Sequence, residues 1–230
     1  MKKLLISLFL VSSVLAFSAR VVKSTETVVK ENIVYVGQEK APYTGVVESY
    51  GDNGVFEGCT SLTTVTLPKN ANFRTIALSS FEGCKRLTRI DIPDSVKEIE
   101  KFAFADAGLT EVKLPKELFE IKEQAFAGNV QLKSITLPKT ISHISTGAFM
   151  QTGLQTVTLN GTEPPRLSFP KGETALQRKG APFPFETLVD IIVPREATNA
   201  YRVEKADWAP YRRYINRKIA FTPPRLEQTE

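Results

Sequence analysis

Apolar side chains recur along this chain in a fixed order. Phe56, Phe81, Phe104, Phe126 and Phe149 are spaced by 25, 23, 22 and 23 residues. Five or six residues after each stands a leucine: Leu62, Leu87, Leu109, Leu132 and Leu154. Three residues on comes a β-branched side chain (Val65, Ile90, Val112, Ile135, Val157), and two further on Leu67, Ile92, Leu114, Leu137 or Leu159. A proline follows in four of the five units, Pro68, Pro93, Pro115 and Pro138, and Asn160 in the fifth. The rest of the unit recurs too. Val96 and Ile99 match Leu118 and Ile121, then Ile141 and Ile144, and Ala103, Ala125 and Ala148 precede the next phenylalanine.

The pattern dictates its own local structure. Leu-x-x-Val-x-Leu alternates at its end, as a short strand with one buried face does. Proline then stops the strand, since it has no N–H for a continuing ladder. Val-x-x-Ile predicts a second short extended segment on another side. Ala-Phe-x-Gly predicts a corner, with the ring inside and glycine permitting the turn. One such coil cannot bury its apolar face, but stacked coils can. Each inward aliphatic then contributes about 1.5–3 kcal/mol, so stability comes from neighbouring coils.

The strings FEGCTSLTTVTLP, FEGCKRLTRIDIPDSVKEIEKFAF and FAGNVQLKSITLPKTISHISTGAF resemble the BspA-like leucine-rich repeats of bacterial surface antigens. The tail VDIIVPREATNAYRVEKADWAPYRRYI is similar to the usual end of such proteins. The resemblance implies a mostly β (α+β) fold: a right-handed leucine-rich-repeat solenoid of about five to six coils with short parallel strands. It also implies an exported or surface-exposed protein acting in adhesion or host contact.

Outside the repeats the organisation is predicted as follows. Lys2 and Lys3, the apolar run Leu4–Leu15 and the small Ala16 predict a secretory signal over 1–16. The run is too short to span a bilayer, which takes about 20 apolar residues. Residues 20–53 predict an N-terminal cap, with strands in NIVYVGQ and TGVVESY. The repeats occupy 54–160. Residues 161–187 form a proline-rich irregular loop of a degenerate repeat, expected to be mobile. A C-terminal cap follows over 188–221, with a strand Thr187–Val193 and a helix Pro194–Lys205, and then a loose tail, 222–230. Tyr201, Trp208, Tyr211 and Tyr214 are expected to cover the last coil.

Composition alters this little. The chain of 230 residues is 42% hydrophobic and 24% charged, as for a folded domain. The net charge of +5 falls to +3 once 1–16, with two lysines and no acids, is removed. That mild excess does not by itself imply nucleic acid or a membrane surface.

Catalytic chemistry finds no footing in the sequence. His143 is the only histidine and holds the unit position of Glu98 and Glu120, which predicts a surface residue. One histidine and two cysteines cannot build a zinc cluster. No nucleophile has an evident base, and no phosphate loop or dinucleotide fingerprint is present. The expectation is no cofactor, no metal and no catalytic residue. Cys59 and Cys84 stand at equivalent points of adjacent coils, close enough for a disulfide. The favoured reading is two buried free thiols.

The outward positions of the strand ladder are the candidate recognition face: Thr64, Thr66, Arg89, Asp91, Glu111, Lys113, Ser134, Thr136, Thr156 and Thr158. Parallel stacking predicts Arg89 beside Glu111 and Asp91 beside Lys113. Phe119 is an aromatic at a position held by Lys97 and Ser142 elsewhere, either a partner anchor or a ring folded onto Leu118. The candidate partner-binding set is Arg89, Asp91, Glu111, Lys113, Phe119, Thr136 and Thr158. The arginines among the C-terminal tyrosines read as the solvated side of a cap. Together these point to an exported, non-catalytic protein, expected monomeric, that binds a protein or glycan at the cell surface or in host matrix, with no nucleic acid and no membrane insertion. A structural envelope protein without a ligand is the alternative, and a secreted hydrolase a remoter one.

Overall fold

The computed structural model describes residues 56–216 apart from 61, 64, 66, 68, 70, 172–178 and 205, together with 27–30 and 33–36. The expected signal segment, the strand in TGVVESY and the tail lie outside the described residues. Within the expected N-terminal cap, β1 (Thr27–Lys30) and β2 (Ile33–Val36) pair antiparallel.

The repeats build a parallel-strand β-solenoid. Leu-x-x-Val-x-Leu supplies one row of strands: β4 (Arg89–Asp91), β6 (Glu111–Lys113), β8 (Ser134–Leu137), β10 (Thr156–Leu159) and β12 (Asp190–Ile192). The second apolar pair supplies another: β3 (Thr75–Ile76), β5 (Glu98–Ile99), β7 (Glu120–Ile121), β9 (His143–Ile144) and β11 (Arg166–Leu167). The second row is one five-stranded sheet, in the order β11-β9-β7-β5-β3. Its strands are two residues long because the proline turn lies on one side of them and the Ala-Phe corner on the other.

The corners carry the interior. Phe56, Phe81, Phe104, Phe126, Phe149 and Phe183 form a continuous column of rings, each 5.2–5.5 Å from the next and within 15° of parallel. Each ring is held by its own backbone, since Phe81, Phe104 and Phe126 N–H donate to Ala103, Ala125 and Ala148 C=O at 2.7–2.8 Å. Those alanines are fully buried. Gly108, at φ +80°, could not carry a side chain without a shift of the backbone, because a Cβ there would run into the Lys85 carbonyl.

Phe183 marks the corner of a repeat within 161–187, the stretch read from the sequence as the loop of a degenerate repeat. The column does not stop at Phe149. Leu188, Ile191, Val193 and Pro194 follow Phe183 at the repeat spacing, and β12 pairs with β10. In the same stretch β11 pairs with β9. The described part of this stretch is therefore a further coil interrupted by an insertion. The insertion hid it, because Phe183 stands 34 positions after Phe149.

The helix expected over Pro194–Lys205 is replaced by a 3-10 turn Arg195–Ala197 and a π-helical turn Ala200–Glu204, and a 3-10 segment Ala206–Tyr214 follows. The aromatic spacing gives the reason for the form of that last segment. Trp208, Tyr211 and Tyr214 are three apart, and three residues per turn puts them on one face, where an α-helix would fan them out. All three are buried. The Tyr211 ring meets Phe183 edge-on at 5.5 Å, and Trp208 Nε1 donates to Pro165 O at 2.7 Å.

Candidate functional site

The first strand row presents the face on which the candidate binding residues were expected. Its register places Arg89 opposite Glu111, Asp91 opposite Lys113, and Thr136 opposite Thr158. Thr64 and Thr66 lie outside the described residues. Arg89 bonds Glu111 at 3.0 Å and also reaches Asp91, in its own strand, at 3.6 Å. Asp91 is thus drawn to Arg89, and Lys113 makes no ion pair among the described residues, contrary to the expected Asp91–Lys113 contact. Both Arg89 contacts involve side chains more than half exposed, where a pair contributes about 0–1 kcal/mol. They set the charge pattern of the face more than its stability.

The face is not a continuous sheet. β4 pairs with β6, β8 with β10 and β10 with β12, but no backbone hydrogen bond joins β6 to β8 among the described residues. A groove of about 430 Å³ opens there, lined by Val112, Leu114, Lys113, Lys116, Thr136 and Asn160 among others. Val112 and Leu114 are only half-buried, whereas Ile90, Ile92, Ile135 and Leu137 at equivalent positions are buried.

Corner length explains the break. Phe104 to Leu109 takes five residues and Phe126 to Leu132 takes six, with Val130 pushed out to solvent. Described steps from a long corner to a short one, or from short to short, keep their pairing (β4–β6, β8–β10, β10–β12). The step from short to long loses it. Asn129 secures that corner: its amide donates to Phe104 O and Phe126 O at 2.7 and 2.8 Å, and its Oδ1 accepts from Leu109 N–H at 2.8 Å.

Phe119 lies on the other side of the coil and is 53% exposed, while Leu118 beside it is fully buried.

The second row holds an arrangement that sequence reasoning missed. His143 Nδ1 is 2.8 Å from Glu120 Oε1, and its Nε2 is 2.8 Å from Ser168 Oγ. The histidine side chain is 22% exposed, so it is a half-buried bridge between three coils and not the free surface residue expected. Register could have signalled Glu120, but Ser168 lay in the irregular stretch, where no period pointed to it. A hydroxyl, an imidazole and a carboxylate in line are the parts of a nucleophilic triad. Acyl transfer also needs free donors for the oxyanion. Here the Ser168 N–H is committed to Ile144 O at 3.0 Å. The chain of bonds ties coils together, as do Lys122 to Glu98 and Glu100 at 3.4 and 2.5 Å, contacts that raise the Lys122 pKa.

Cys59 and Cys84 are free thiols, the first half-buried and the second buried. Cys84 Sγ donates to Phe56 O at 3.1 Å. Among the described residues no group of three or more metal-ligating side chains is placed to hold an ion, and no helix is long and apolar enough to cross a membrane.

Comparison with known proteins bears on the whole array. Residues 51–164 match the family model of the BspA type leucine rich repeat region, in six copies. No curated protein matches the chain. Among solved structures, a leucine rich repeat protein of T. pallidum is 28% identical at a TM-score of 0.50, covering 61% of this chain and 72% of that one. The pneumococcal vaccine antigen PcpA is 26% identical, with a TM-score of 0.44, over 56% of this chain and 30% of that one. A leucine rich cell surface protein of Faecalibacterium prausnitzii A2-165 is 21% identical, with a TM-score of 0.38, over 56% of this chain and 48% of that one. The match thus spans less than a third of the pneumococcal antigen and about half of the Faecalibacterium protein.

Proposed function

We propose that this chain, whose residues 51–164 belong to the BspA-type leucine-rich repeats, is an exported, non-catalytic binding protein that presents its first strand row to a protein or glycan at the cell surface or in host matrix. The observation that carries the reading is the ladder face itself. It holds Arg89, Asp91, Glu111 and Lys113 outward on one pair of strands and Thr136 and Thr158 on the next, over an interior of buried side chains. A rigid ladder loses little conformational entropy when it binds, so many weak polar contacts suffice. Phe119 adds an exposed ring at a different angle, and aromatic side chains are favoured as anchors. The apolar N-terminal run with its leading lysines supports export.

The test is capture of the full chain on a panel of immobilised extracellular matrix proteins and glycans. Charge reversal at Arg89 and Lys113 combined with Phe119→Ala is expected to weaken capture at least tenfold. Capture unchanged in that variant overturns the ladder-face reading. No capture by any surface on the panel favours a structural envelope role.

A further inference from the structure

We propose that the slot between β6 and β8 is a docking site for a short, extended, acidic segment of a partner protein; this rests on the interaction role above and specifies its chemistry.

The first argument is the backbone. Glu111 N–H donates to Thr88 O at 3.2 Å, and Lys113 O accepts from Ile92 N–H at 3.0 Å, so these residues of β6 are turned to β4. The alternation of a parallel ladder turns the backbone groups of Val112 the other way, toward β8. On β8, the Lys133 and Leu137 carbonyls accept from Thr156 and Asn160 at 3.2 and 3.1 Å. Ser134 and Thr136 are therefore turned toward β6. Each lip of the slot carries donors and acceptors without a backbone partner, as the edge of a sheet does, and peptide main chains bind such edges.

The second argument is the floor and the charge. Val112 and Leu114 are half-buried at the slot, giving an apolar floor for an aliphatic side chain. Lys113 and Lys116 line the slot, and neither ammonium has an ion-pair partner among the described residues. The one acid in the slot, Glu111, is already bonded to Arg89. The uncompensated charge is positive, so the complementary segment carries carboxylates. A volume of about 430 Å³ lies within the range of specific ligand sites and accommodates a few residues of extended peptide.

The probe is a fluorescein-labelled hexapeptide of alternating aspartate and valine, with its lysine and valine counterpart as control, titrated into the full chain and read by fluorescence anisotropy. The acidic peptide is expected to bind at least tenfold more tightly than the basic one. Lys116→Glu with Thr136→Trp, both at exposed positions, is expected to weaken it at least tenfold. Deletion of Val130, which shortens the corner to the length found at Phe104–Leu109, is expected to do the same by letting β8 settle onto β6. Arg166→Glu, on the other strand row, should leave it unchanged. Thermal unfolding of each variant confirms that the fold is retained. Equal binding of the two peptides, or undiminished binding by the Lys116→Glu, Thr136→Trp chain, overturns the proposal. Matrix capture that persists without peptide discrimination removes the slot alone. Slot-dependent peptide binding without matrix capture removes the broader surface role alone.

Discussion

Phe149 and Phe183 stack with ring centroids 5.5 Å apart and planes 13° from parallel, although 34 positions of chain separate them. The ring column therefore passes over an insertion without a gap. The intervening chain leaves the corner, contributes β11 to the second row and returns through Pro182, whose carbonyl accepts from Phe149 N–H at 2.8 Å. What holds a coil in place here is the ring it offers to its neighbour, not the length of chain between rings.

Phe183→Ala is accordingly expected to destabilise the chain by about 3–5 kcal/mol, as loss of a fully buried aromatic does. Phe183 also contacts Trp208 and Tyr211, so the change should loosen the C-terminal aromatic cluster as well. Denaturant unfolding followed by Trp208 fluorescence reads both effects. A loss below about 1 kcal/mol would show that the last coil does not depend on the column.

Two glycines with similar backbone angles should behave differently. Gly58 has φ +71° and open space where a Cβ would stand, so Gly58→Ala carries only the left-handed penalty, about 1–2 kcal/mol. Gly108 has φ +80° and the Lys85 carbonyl in the way, so Gly108→Ala adds an overpacking cost of about 1–3 kcal/mol. Equal urea midpoints for the two variants would contradict the close approach of adjacent corners.

Asn129→Leu leaves the Leu109 N–H and the Phe104 and Phe126 carbonyls without their partner in a buried corner. Each orphaned group costs about 1–3 kcal/mol, so a loss of at least about 2 kcal/mol is expected in equilibrium unfolding. Asn129→Asp should not rescue it, because a carboxylate would face carbonyl oxygens.

Burial, and secondarily the adjacent Cys59, pushes the Cys84 thiol from 9.0 to about 12. Between those values the folded chain keeps a proton that the unfolded chain has released. Stability should therefore fall as pH rises from about 9, by up to about 1.4 kcal/mol per pH unit. Burial raises the hydroxyls of Tyr201 and Tyr211 above 10.0 as well, which steepens the same alkaline loss. Cys84→Ala should make the decline shallower, and at mildly alkaline pH a thiol reagent should modify Cys84 only on unfolding.

Ser168 should remain unlabelled by a fluorophosphonate probe, since its backbone N–H is spent on Ile144 O. Stoichiometric labelling of Ser168, abolished by His143→Ala, would overturn the non-catalytic reading.

The repeats were legible because each inward position is chosen by its own burial. A phenylalanine, a leucine and a β-branched residue recur whenever the chain passes the same point of the coil, so periodicity alone located the strands from Arg89 to Leu159. Phe183, Leu188 and Ile191 obey the same rule, but an insertion moved them out of phase with the period. The 3-10 form of Ala206–Tyr214, beyond the expected helix, was not legible for a different reason: the three-residue spacing of Trp208, Tyr211 and Tyr214 selects a tighter helix only once all three rings must lie on one coil.

By itself, the sequence determined that this chain winds into a repeating coil with a phenyl and aliphatic interior, since that requires only that each side chain be apolar or polar at its own place. The tertiary structure decided what lies between coils: the slot at Val112 and Thr136, the bridge from Glu120 through His143 to Ser168, and the draw of Asp91 to Arg89 in place of Lys113. Those depend on how one winding is offset from the next. The single extra residue between Phe126 and Leu132 is visible in the sequence, but it opens the ladder only because the coil beneath it has the shorter corner.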